Sequence, residues 1–259
     1  MAAFTNKRRS TILEELSRNR SVRVADLSLH LGVSEVSIRR DLQVMEEQGL
    51  LKRVHGGAVS LASATPATPL ALRLDAEREK KERIGRAAAA MVSRGESLIF
   101  DSGSTPLQVA RFLDKELLNS GNLTAVTAHL PVVRQLGPWP GVHLILLGGI
   151  YVHAYEVLVG PQTVDQLKGL HVDKMFLGTD GMTLSHGFTT ANVLEAEVDR
   201  AMVQAATEVI VVSDSSKISG IGLATIMPVN GIDKLITDTD APPDFVAALR
   251  ELGIEVILV

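Results

Sequence analysis

Residues Val33–Leu51 read V-S-E-V-S-I-R-R-D-L-Q-V-M-E-E-Q-G-L-L and predict a helix with a defined beginning and end. The hydroxyl of Ser34 is suited to cap the first turn, and Gly49 is suited to end the helix in the left-handed conformation. The residues that recur on the apolar face are Ile38, Leu42 and Met45. The opposite face carries arginines near its start, which is typical of a helix that reads DNA, although an ordinary surface helix shares this pattern.

A second predicted helix, Val24–Leu31, precedes this stretch and joins it through a tight turn at Gly32. A further helix is predicted over Lys7–Arg18. Two helices joined by a short glycine-containing turn, the second bearing outward arginines, form the helix-turn-helix pattern. The candidate DNA contacts on the recognition helix are Ser34, Val36, Ser37, Arg39, Arg40 and Gln43.

A basic hairpin is predicted directly after the recognition helix. Two short strand-like runs flank His55-Gly56-Gly57 in the segment L-L-K-R-V-H-G-G-A-V-S. A hairpin in this position is a wing, and we expect Lys52, Arg53 and His55 to contact the DNA backbone.

The composition excludes several kinds of site. The 259 residues are 46% hydrophobic and 22% charged, which indicates a globular chain long enough for two domains. The chain has no cysteine and its seven histidines show no ligand spacing, so we expect neither a metal nor a cofactor. Because the sequence shows no apolar run of ~20 residues and no signal-peptide core, we expect a cytoplasmic, nucleoid-associated protein.

Charge is distributed unevenly along the chain. Residues 1–60 hold ten of the 26 basic and seven of the 30 acidic residues, which leaves 16 basic and 23 acidic residues for 61–259. A basic N-terminal part followed by an acidic C-terminal part suits a chain in which one domain binds the phosphates of a nucleic acid and the other does not. The uncharged stretch 60–72 contains two prolines and is predicted to be a linker. We therefore predict a winged helix-turn-helix DNA-binding domain over 1–59 and a second, acidic domain over 73–259 that carries the assembly surface.

Apolar runs of strand length alternate with helical segments after a charged stretch that predicts one helix to about Val92. The predicted strands are Leu98–Phe100, Leu123–Thr127, Val142–Leu147, Lys174–Leu177, Glu208–Val212, Lys234–Thr237 and Glu255–Val259. The predicted helices between them include Pro106–Leu113, Gln162–Leu167, Ala191–Ala206 and Pro243–Leu252. This alternation predicts a mainly parallel sheet covered on both faces, with ligands bound at the carboxyl ends of its strands.

Three polar loops fall where strands of this sheet should end. The loop 101–106, D-S-G-S-T-P, precedes a helix, so its amides and hydroxyls suit a phosphate, although a capped turn without a ligand has the same sequence. The loop 178–182, G-T-D-G-M, is either part of a site or a plain Asp-Gly turn. In the loop 212–217, V-S-D-S-S-K, Lys217 either reaches a phosphate or lies in solvent. Gly148-Gly149 suits either a turn or a close approach to a ligand.

These stretches together resemble the DeoR family of bacterial transcriptional regulators over nearly the whole chain. The N-terminal resemblance is carried by V-R-V-A-D-L-S-L-H-L-G-V-S, S-I-R-R-D-L and L-L-K-R-V-H-G-G-A-V. The C-terminal resemblance is carried by E-K-K-E-R-I, D-S-G-S-T, L-L-G-G, G-T-D-G, N-V-L-E-A-E-V and D-S-S-K. It implies that 73–259 form an α/β effector-binding domain, similar to ribose 5-phosphate isomerase, that senses a phosphorylated sugar or polyol. The candidate effector-binding residues are Lys81, Asp101, Gly103, Ser104, Thr105, Gly149, Thr179, Asp180, Gly181, Glu195 and Lys217.

Two positions depart from the family pattern. Ser37 stands where the family usually has threonine, and it keeps the hydroxyl. Thr127-Ala128-His129 stands where the family commonly has Thr-Asn, so an amide able to touch the ligand is missing. His129 either replaces that amide or faces solvent.

The predicted function is sequence-specific transcriptional regulation, as a repressor of a sugar or polyol catabolic operon that a phosphorylated sugar controls. The expected partners are operator DNA, this effector and further copies of the chain in a homodimer or homotetramer, with no membrane. One alternative is an enzyme like a sugar-phosphate isomerase, for which Asp101, Asp180, Glu195 and Glu197 are candidate general bases. The helix-turn-helix argues against catalysis, so no catalytic residue is assigned. An architectural DNA-binding protein with an inert second domain is disfavoured by the number of phosphate-competent loops.

Overall fold

The computed structural model divides the chain into two compact units, Met1–Pro66 and Ala67–Val259, called here the N-terminal unit and the C-terminal unit. The boundary falls inside the stretch that is predicted to be a linker. The residues that the structure describes are 8–9, 11–13, 15–16, 21–47, 51–54, 56–59, 69–120 and 122–259.

The N-terminal unit contains the predicted helix-turn-helix. Helix α1 covers Val24–Leu31 and helix α2 covers Glu35–Glu47. The first ends because Gly32 adopts the left-handed conformation, with a φ of 63°, and donates its amide hydrogen to the carbonyl oxygen of Ser28. The described residues among 8–16, within the predicted first helix, are also helical.

The recognition helix α2 begins where the sequence predicts. The hydroxyl oxygen of Ser34 accepts the amide hydrogen of Ser37 at 3.3 Å, which satisfies a donor of the first turn. The three residues predicted to face inward are at most 1% exposed, namely Ile38, Leu42 and Met45. The predicted stop at Gly49 lies outside the described residues.

The wing is a three-stranded antiparallel sheet rather than a two-stranded hairpin. Strands β1 (Ser21–Arg23), β2 (Lys52–Val54) and β3 (Gly57–Val59) lie in the order β1-β3-β2. The sequence predicted β2 and β3 but not β1. A Cβ on Gly57 would lie 2.0 Å from the carbonyl oxygen of Val22, so the close pairing of β1 with β3 requires glycine there.

Two short helices open the C-terminal unit, where one long helix was predicted. Helix α3 covers Leu70–Asp75, so the predicted linker 60–72 extends three residues too far, and α4 covers Arg78–Ala89. The chain breaks between them because the Lys81 ammonium donates to two carbonyl oxygens at the end of α3. Glu77 accordingly adopts the left-handed conformation, with a φ of 51°.

Seven parallel strands form the central sheet and confirm the predicted parallel α/β architecture. The strands are β4 (Ser97–Phe100), β5 (Leu123–Thr127), β6 (Val142–Leu146), β9 (Val172–Leu177), β12 (Ala206–Val212), β14 (Lys234–Thr237) and β15 (Glu255–Leu258). They lie in the order β15-β14-β12-β9-β4-β5-β6.

Helices cover both faces of the sheet, as predicted. Side chains of a strand alternate between two apolar clusters, so that Ile99 packs on one face while Leu98 and Phe100 pack on the other. The helices that follow α4 are α5 (Ser104–Phe112), α6 (Lys115–Asn119), α7 (Leu130–Leu136), α8 (Pro161–Leu167), α9 (Val193–Ala205) and α10 (Pro243–Glu251). No helix in the described part of the chain combines the length and apolarity needed to cross a bilayer.

Five short antiparallel strands were not predicted from the sequence. They are β7 (Ile150–Val152), β8 (Val157–Val159), β10 (Gly181–Thr183), β11 (Gly187–Thr190) and β13 (Ala224–Met227). The first two pair with each other, and the other three form a small sheet in the order β10-β11-β13. The small sheet borders the site described next, because Thr190 and Ile226 line it.

Candidate DNA interface and effector site

The outward face of α2 presents the predicted DNA contacts to solvent. Val36 is 72% exposed, and Arg40 and Gln43 are exposed as well. Among the residues that the structure describes, none forms an ion pair with Arg40. Its guanidinium can therefore approach a base edge or a phosphate without first breaking an internal pair.

Two other predicted contacts already have partners on the same helix. Arg39 donates to the carboxylate of Glu35, four residues earlier, at 2.6 Å. The hydroxyl oxygen of Ser37 lies 3.0 Å from that of Ser34. An exposed pair of this kind is worth less than about 1 kcal/mol, so exchange of these partners for DNA groups costs little.

A buried carboxylate anchors two basic residues to the recognition helix. Asp41 is 2% exposed and accepts from Nε of Arg8 at 2.6 Å and from Nε of Arg9 at 3.0 Å. The sequence interpretation missed this arrangement, which joins the start of the chain to the N-terminal core. An acidic residue directly before the inward-facing Leu42 was the available signal.

The wing is tied to the end of the recognition helix. The backbone amide of Arg53 donates to the carboxylate of Glu46 at 2.8 Å, and the Arg53 side chain is exposed. Lys52 lies in β2, whereas His55 lies outside the described residues. The structure thus places the backbone of β2 next to α2, as a wing requires.

A polar cleft of about 120 Å³ lies at the carboxyl ends of β4, β9 and β12, and it is called here the effector cleft. The three predicted loops meet there, with α3 on one side. Nine of the predicted effector-binding residues line it, namely Lys81, Asp101, Gly103, Ser104, Thr105, Thr179, Asp180, Glu195 and Lys217.

Two predicted glycines do not line the cleft. A Cβ on Gly149 would lie 2.2 Å from the hydroxyl oxygen of Thr163, and one on Gly181 would lie 2.5 Å from the carbonyl carbon of Gly220. Both glycines therefore allow two parts of the backbone to approach each other. The two glycines correctly indicated a close approach to the backbone, but the group that approaches belongs to the protein rather than to a ligand.

The N-terminus of α5 forms one wall of the cleft. Ser104 and Thr105, its first two residues, are each 6% exposed and line the cleft. Gly103 precedes them with a φ of 111°, a conformation that favours glycine. Because the first amides of a helix lack internal partners and carry partial positive charge, this wall suits an anion.

Asp101 holds two of the loops together. Its carboxylate accepts the amide hydrogens of Gly178 at 2.8 Å and of Ser102 at 2.5 Å. Burial raises the pKa of Asp101 to about 6. The carboxyl of Asp199 hydrogen-bonds to it, and burial together with the charge of Asp101 raises the pKa of Asp199 well above its usual range. The pair therefore holds a proton more firmly than two separate carboxylates would.

Glu195 adds a third carboxyl to this acidic group. Its carboxylate accepts from the hydroxyl of Ser102 at 3.0 Å and from that of Thr190 at 3.4 Å. Burial raises its pKa to about 7, and the nearby charge of Asp180 acts in the same direction. The hydroxyl of Thr179, by contrast, lies within hydrogen-bond distance of the backbone carbonyl oxygens of Gly181 in β10 and Thr189 in β11, and it braces the cleft wall.

Positive groups face these carboxylates. Lys81 is buried, and its ammonium donates to the carbonyl oxygens of Arg73 at 2.7 Å and of Ala76 at 2.6 Å, while Asp214 lies 3.9 Å away. Burial lowers its pKa to about 8, although the charge of Asp214 opposes this shift. Lys217 lines the cleft from a 3₁₀ turn after β12.

Sequence reasoning missed three charged residues of the cleft, namely Arg73, Glu77 and Asp199. Arg73 lies on α3, which was predicted to be the end of a linker and the start of a longer helix, so its position gave no signal. Asp199 lies one helical turn after Glu195 on α9, a spacing that places both carboxyls on one face. Of the two expectations for His129, solvent exposure is wrong, because this side chain is fully buried.

The domain arrangement and this charged cleft define a winged-helix regulator with a ligand-sensing domain. Residues 8–64 match the DeoR-like helix-turn-helix domain, and residues 76–239 match the DeoR C-terminal sensor domain. The chain belongs to the DeoR family of transcriptional regulators. It is accordingly a DNA-binding regulator, and the isomerase alternative is set aside.

Curated relatives match along almost their full length. The putative aga operon transcriptional repressor of Escherichia coli O157:H7 is 35% identical over 98% of this chain and 94% of that protein. The regulator GolR of Listeria innocua is 32% identical over 98% of each chain. The glycerol-3-phosphate regulon repressor of Escherichia coli K12 is 31% identical over 97% of this chain and 98% of that protein.

Two solved structures also match this chain, in part or along most of its length. Ribose 5-phosphate isomerase from Methanocaldococcus jannaschii has a TM-score of 0.39 at 16% identity and covers 53% of each chain. The sorbitol operon regulator SorC from Klebsiella pneumoniae has a TM-score of 0.43 at 11% identity and covers 93% of this chain and 97% of that chain.

Proposed function

We propose that this chain represses a sugar or polyol catabolic operon and that a phosphorylated sugar or polyol in the effector cleft controls its binding to operator DNA. The observation that carries the proposal is the convergence of the α5 N-terminus, Lys81 and Lys217 with buried carboxylates at one edge of the sheet. The names of two relatives support the proposal, because one is the putative aga operon transcriptional repressor and another is the glycerol-3-phosphate regulon repressor.

The two kinds of group in the cleft suit the two ends of such a molecule. Amides and hydroxyls at Ser104 and Thr105, with the ammonium of Lys217, are donors that suit a phosphate. The carboxyls of Asp180 and Glu195 accept hydrogen bonds from sugar hydroxyls. The ligand therefore carries a phosphate at one end and hydroxyl groups along the rest of its length.

Operator recognition is assigned to the N-terminal unit. In this proposal Arg40 and its neighbours on α2 contact base edges, and the wing contacts phosphates through Lys52, Arg53 and His55. One recognition helix covers a single major-groove segment, so we propose a homodimer or homotetramer that places two such helices on repeated half-sites. Nucleoid association follows from this binding. Sedimentation velocity of the full chain at micromolar concentration tests the assembly, and a strict monomer contradicts it.

Ligand titrations of operator binding test the effector site. Lys217→Ala removes one positive charge from the cleft, so the ligand concentration needed for a response should rise about 10- to 100-fold. Operator affinity without ligand should not change, because the effector acts only through its different affinities for the two states. The matched control is Lys168→Ala, which removes an exposed lysine that pairs with Asp165.

The panel of ligands should contain phosphorylated sugars and polyols beside their unphosphorylated forms. A thermal-shift screen identifies binders first, since a ligand at 100 times its dissociation constant stabilises the folded state by about 2.7 kcal/mol. Identical titrations for wild type and Lys217→Ala remove that lysine from the site. A response to the unphosphorylated compounds alone contradicts the proposed ligand class.

A further inference from the structure

Three buried polar side chains among the described residues of the C-terminal unit lack the hydrogen bonds that burial normally demands, and two of them, His129 and Tyr155, are neighbours. His129 is fully buried, and neither of its ring nitrogens makes a hydrogen bond of normal geometry within the described part of the chain. The hydroxyl of Tyr155, a residue that is 3% exposed, likewise makes no hydrogen bond of normal geometry there, and the neighbouring guanidinium of Arg73 offers it only donors, so the hydroxyl hydrogen has no acceptor. Because buried polar groups are nearly always paired, both groups point to a partner that the chain does not supply.

Both groups lie beside the effector cleft. In the sheet β5 is the neighbour of β4, so His129, two residues beyond the end of β5, lies at the same edge of the sheet as the cleft, behind the residues that line it. Arg73 lines the cleft and covers Tyr155, with its guanidinium carbon 4.5 Å from the centre of the ring. The charges of Arg73, Glu195 and Asp180 all act on the Tyr155 hydroxyl, which therefore lies within the electrostatic reach of the cleft.

The two unpaired groups are also neighbours of each other. The imidazole of His129 lies against the backbone of Tyr155, and His129 forms a β-bridge with Val157, two residues further on. We propose that His129 and the Tyr155 hydroxyl form an inner part of the effector site, which Arg73 covers. This inner part binds the hydroxyl groups at the end of the effector opposite its phosphate. This inference rests on the proposed function, because it extends the same cleft.

The chemistry of both groups suits hydroxyls better than phosphate. Burial lowers the pKa of His129 to about 3, and the charges of Arg134 and Arg73 act in the same direction, so the imidazole is neutral and offers one donor and one acceptor. Burial raises the pKa of Tyr155 to about 12, so the phenol keeps its proton. A sugar hydroxyl both donates and accepts and satisfies either group, whereas a phosphate dianion only accepts.

The chain contains a matched control for the loss of an unpaired buried group. The hydroxyl of Thr237, at the end of β14, is fully buried and likewise has no partner among the described residues. In the central sheet, β12, β9 and β4 lie between β14 and β5, so Thr237 is far from the proposed inner site. Thr237→Val removes this hydroxyl without touching the proposed inner site, so it should leave every ligand affinity unchanged.

The test is calorimetric titration of the full chain with inorganic phosphate, glycerol 3-phosphate and glucitol 6-phosphate. Tyr155→Phe and His129→Leu should each weaken binding of the six-carbon compound about five- to tenfold and leave binding of inorganic phosphate unchanged. His129→Gln keeps a donor and an acceptor and should recover part of the loss. Thermal unfolding without ligand shows that each variant is folded.

The outcomes separate this inference from the proposed function. Equal losses for inorganic phosphate and for the six-carbon compound overturn the inner site, because they indicate a structural role. Unchanged affinities in Tyr155→Phe and His129→Leu overturn it as well, because ordered water then satisfies the two groups. A wild-type chain that binds no phosphorylated compound refutes the proposed function itself, whereas binding that the inner-site variants do not alter refutes the inner site alone.

Discussion

The guanidinium of Arg73 lies 3.3 Å from the carboxylate of Asp180, and both side chains are largely buried. This ion pair joins α3, the first helix of the C-terminal unit, to the loop that follows β9. A six-residue helix has little stability of its own, so its position depends on such contacts. Any ligand that competes for Asp180 or Arg73 therefore acts directly on the segment that leads to the N-terminal unit.

Arg73→Ala should loosen α3 and also change the acidic group of the cleft. The charge of Arg73 lowers the pKa of Glu195, so its removal should raise that pKa above its present value of about 7. Carbon-13 NMR titration of the glutamate carboxyls measures the shift, and limited proteolysis measures exposure of α3. Arg78→Ala is the control, because Arg78 is an exposed arginine that pairs with Glu82. A pKa of Glu195 that does not rise contradicts the assigned coupling.

Stability should fall as the pH rises from about 4 to about 7. The folded-state pKa values of Asp101 and Glu195 are raised to about 6 and about 7, so these two groups bind more protons in the folded chain than in the unfolded chain in this window, and together they outweigh the opposite effect of His129, whose pKa is lowered to about 3. The stabilisation that comes from protonation is complete below the unfolded-state pKa values and is lost as the pH rises through the folded-state values. Each unit of pKa shift corresponds to about 1.4 kcal/mol in the free energy of unfolding.

Glu195→Gln should flatten this dependence, because an amide does not titrate. Denaturant unfolding followed at a series of pH values gives the slope for both proteins. Glu197→Gln changes an exposed glutamate on the same helix and is the matched control. The same slope for wild type and for Glu195→Gln assigns the pH dependence to other groups.

The sequence predicted the parallel sheet because its strands are buried on both faces and appear as continuous apolar runs. Strand β5, for example, was predicted with its observed bounds, Leu123–Thr127. The strands β10 and β11 escaped prediction because runs such as G-M-T and G-F-T-T are too short to show a period. Their pairing depends on contacts such as that of Gly181 with Gly220, which are distant in sequence.

The sequence predicted those parts of the candidate site that lie in polar loops directly after apolar strands. The loops at Asp101, Asp180 and Lys217 follow apolar strands, so their polar residues contrast with the runs that precede them in the sequence. Arg73 could not be found in this way, since it lies on a short helix, α3, whose last carbonyl oxygens accept from the Lys81 ammonium, and the sequence predicted one continuous helix there. The burial of His129 likewise follows from the packing of the segment around Tyr155 against the end of β5.

Asp41→Ala should destabilise the N-terminal unit. The substitution removes a buried carboxylate that pairs with Arg8 and Arg9, and these arginines are partly exposed and can regain water. The expected loss is about 1–3 kcal/mol in the free energy of unfolding. Circular dichroism during thermal unfolding measures it. Glu35→Ala breaks the exposed pair with Arg39 and should cost less than about 1 kcal/mol. Equal effects from the two substitutions contradict the anchoring role of Asp41.

Arg40→Ala should reduce discrimination between operator and random DNA. Its exposed guanidinium has no ion-pair partner in the described part of the chain, and loss of a base-edge contact costs about 1–3 kcal/mol of specific binding. Arg53→Ala, in the wing, should instead weaken binding to both duplexes alike and reduce the slope of affinity against salt by about one unit. Fluorescence anisotropy with each duplex at several salt concentrations separates the two roles. If Arg40→Ala loses the same affinity on both duplexes, Arg40 contacts the backbone and the base reader lies elsewhere on α2.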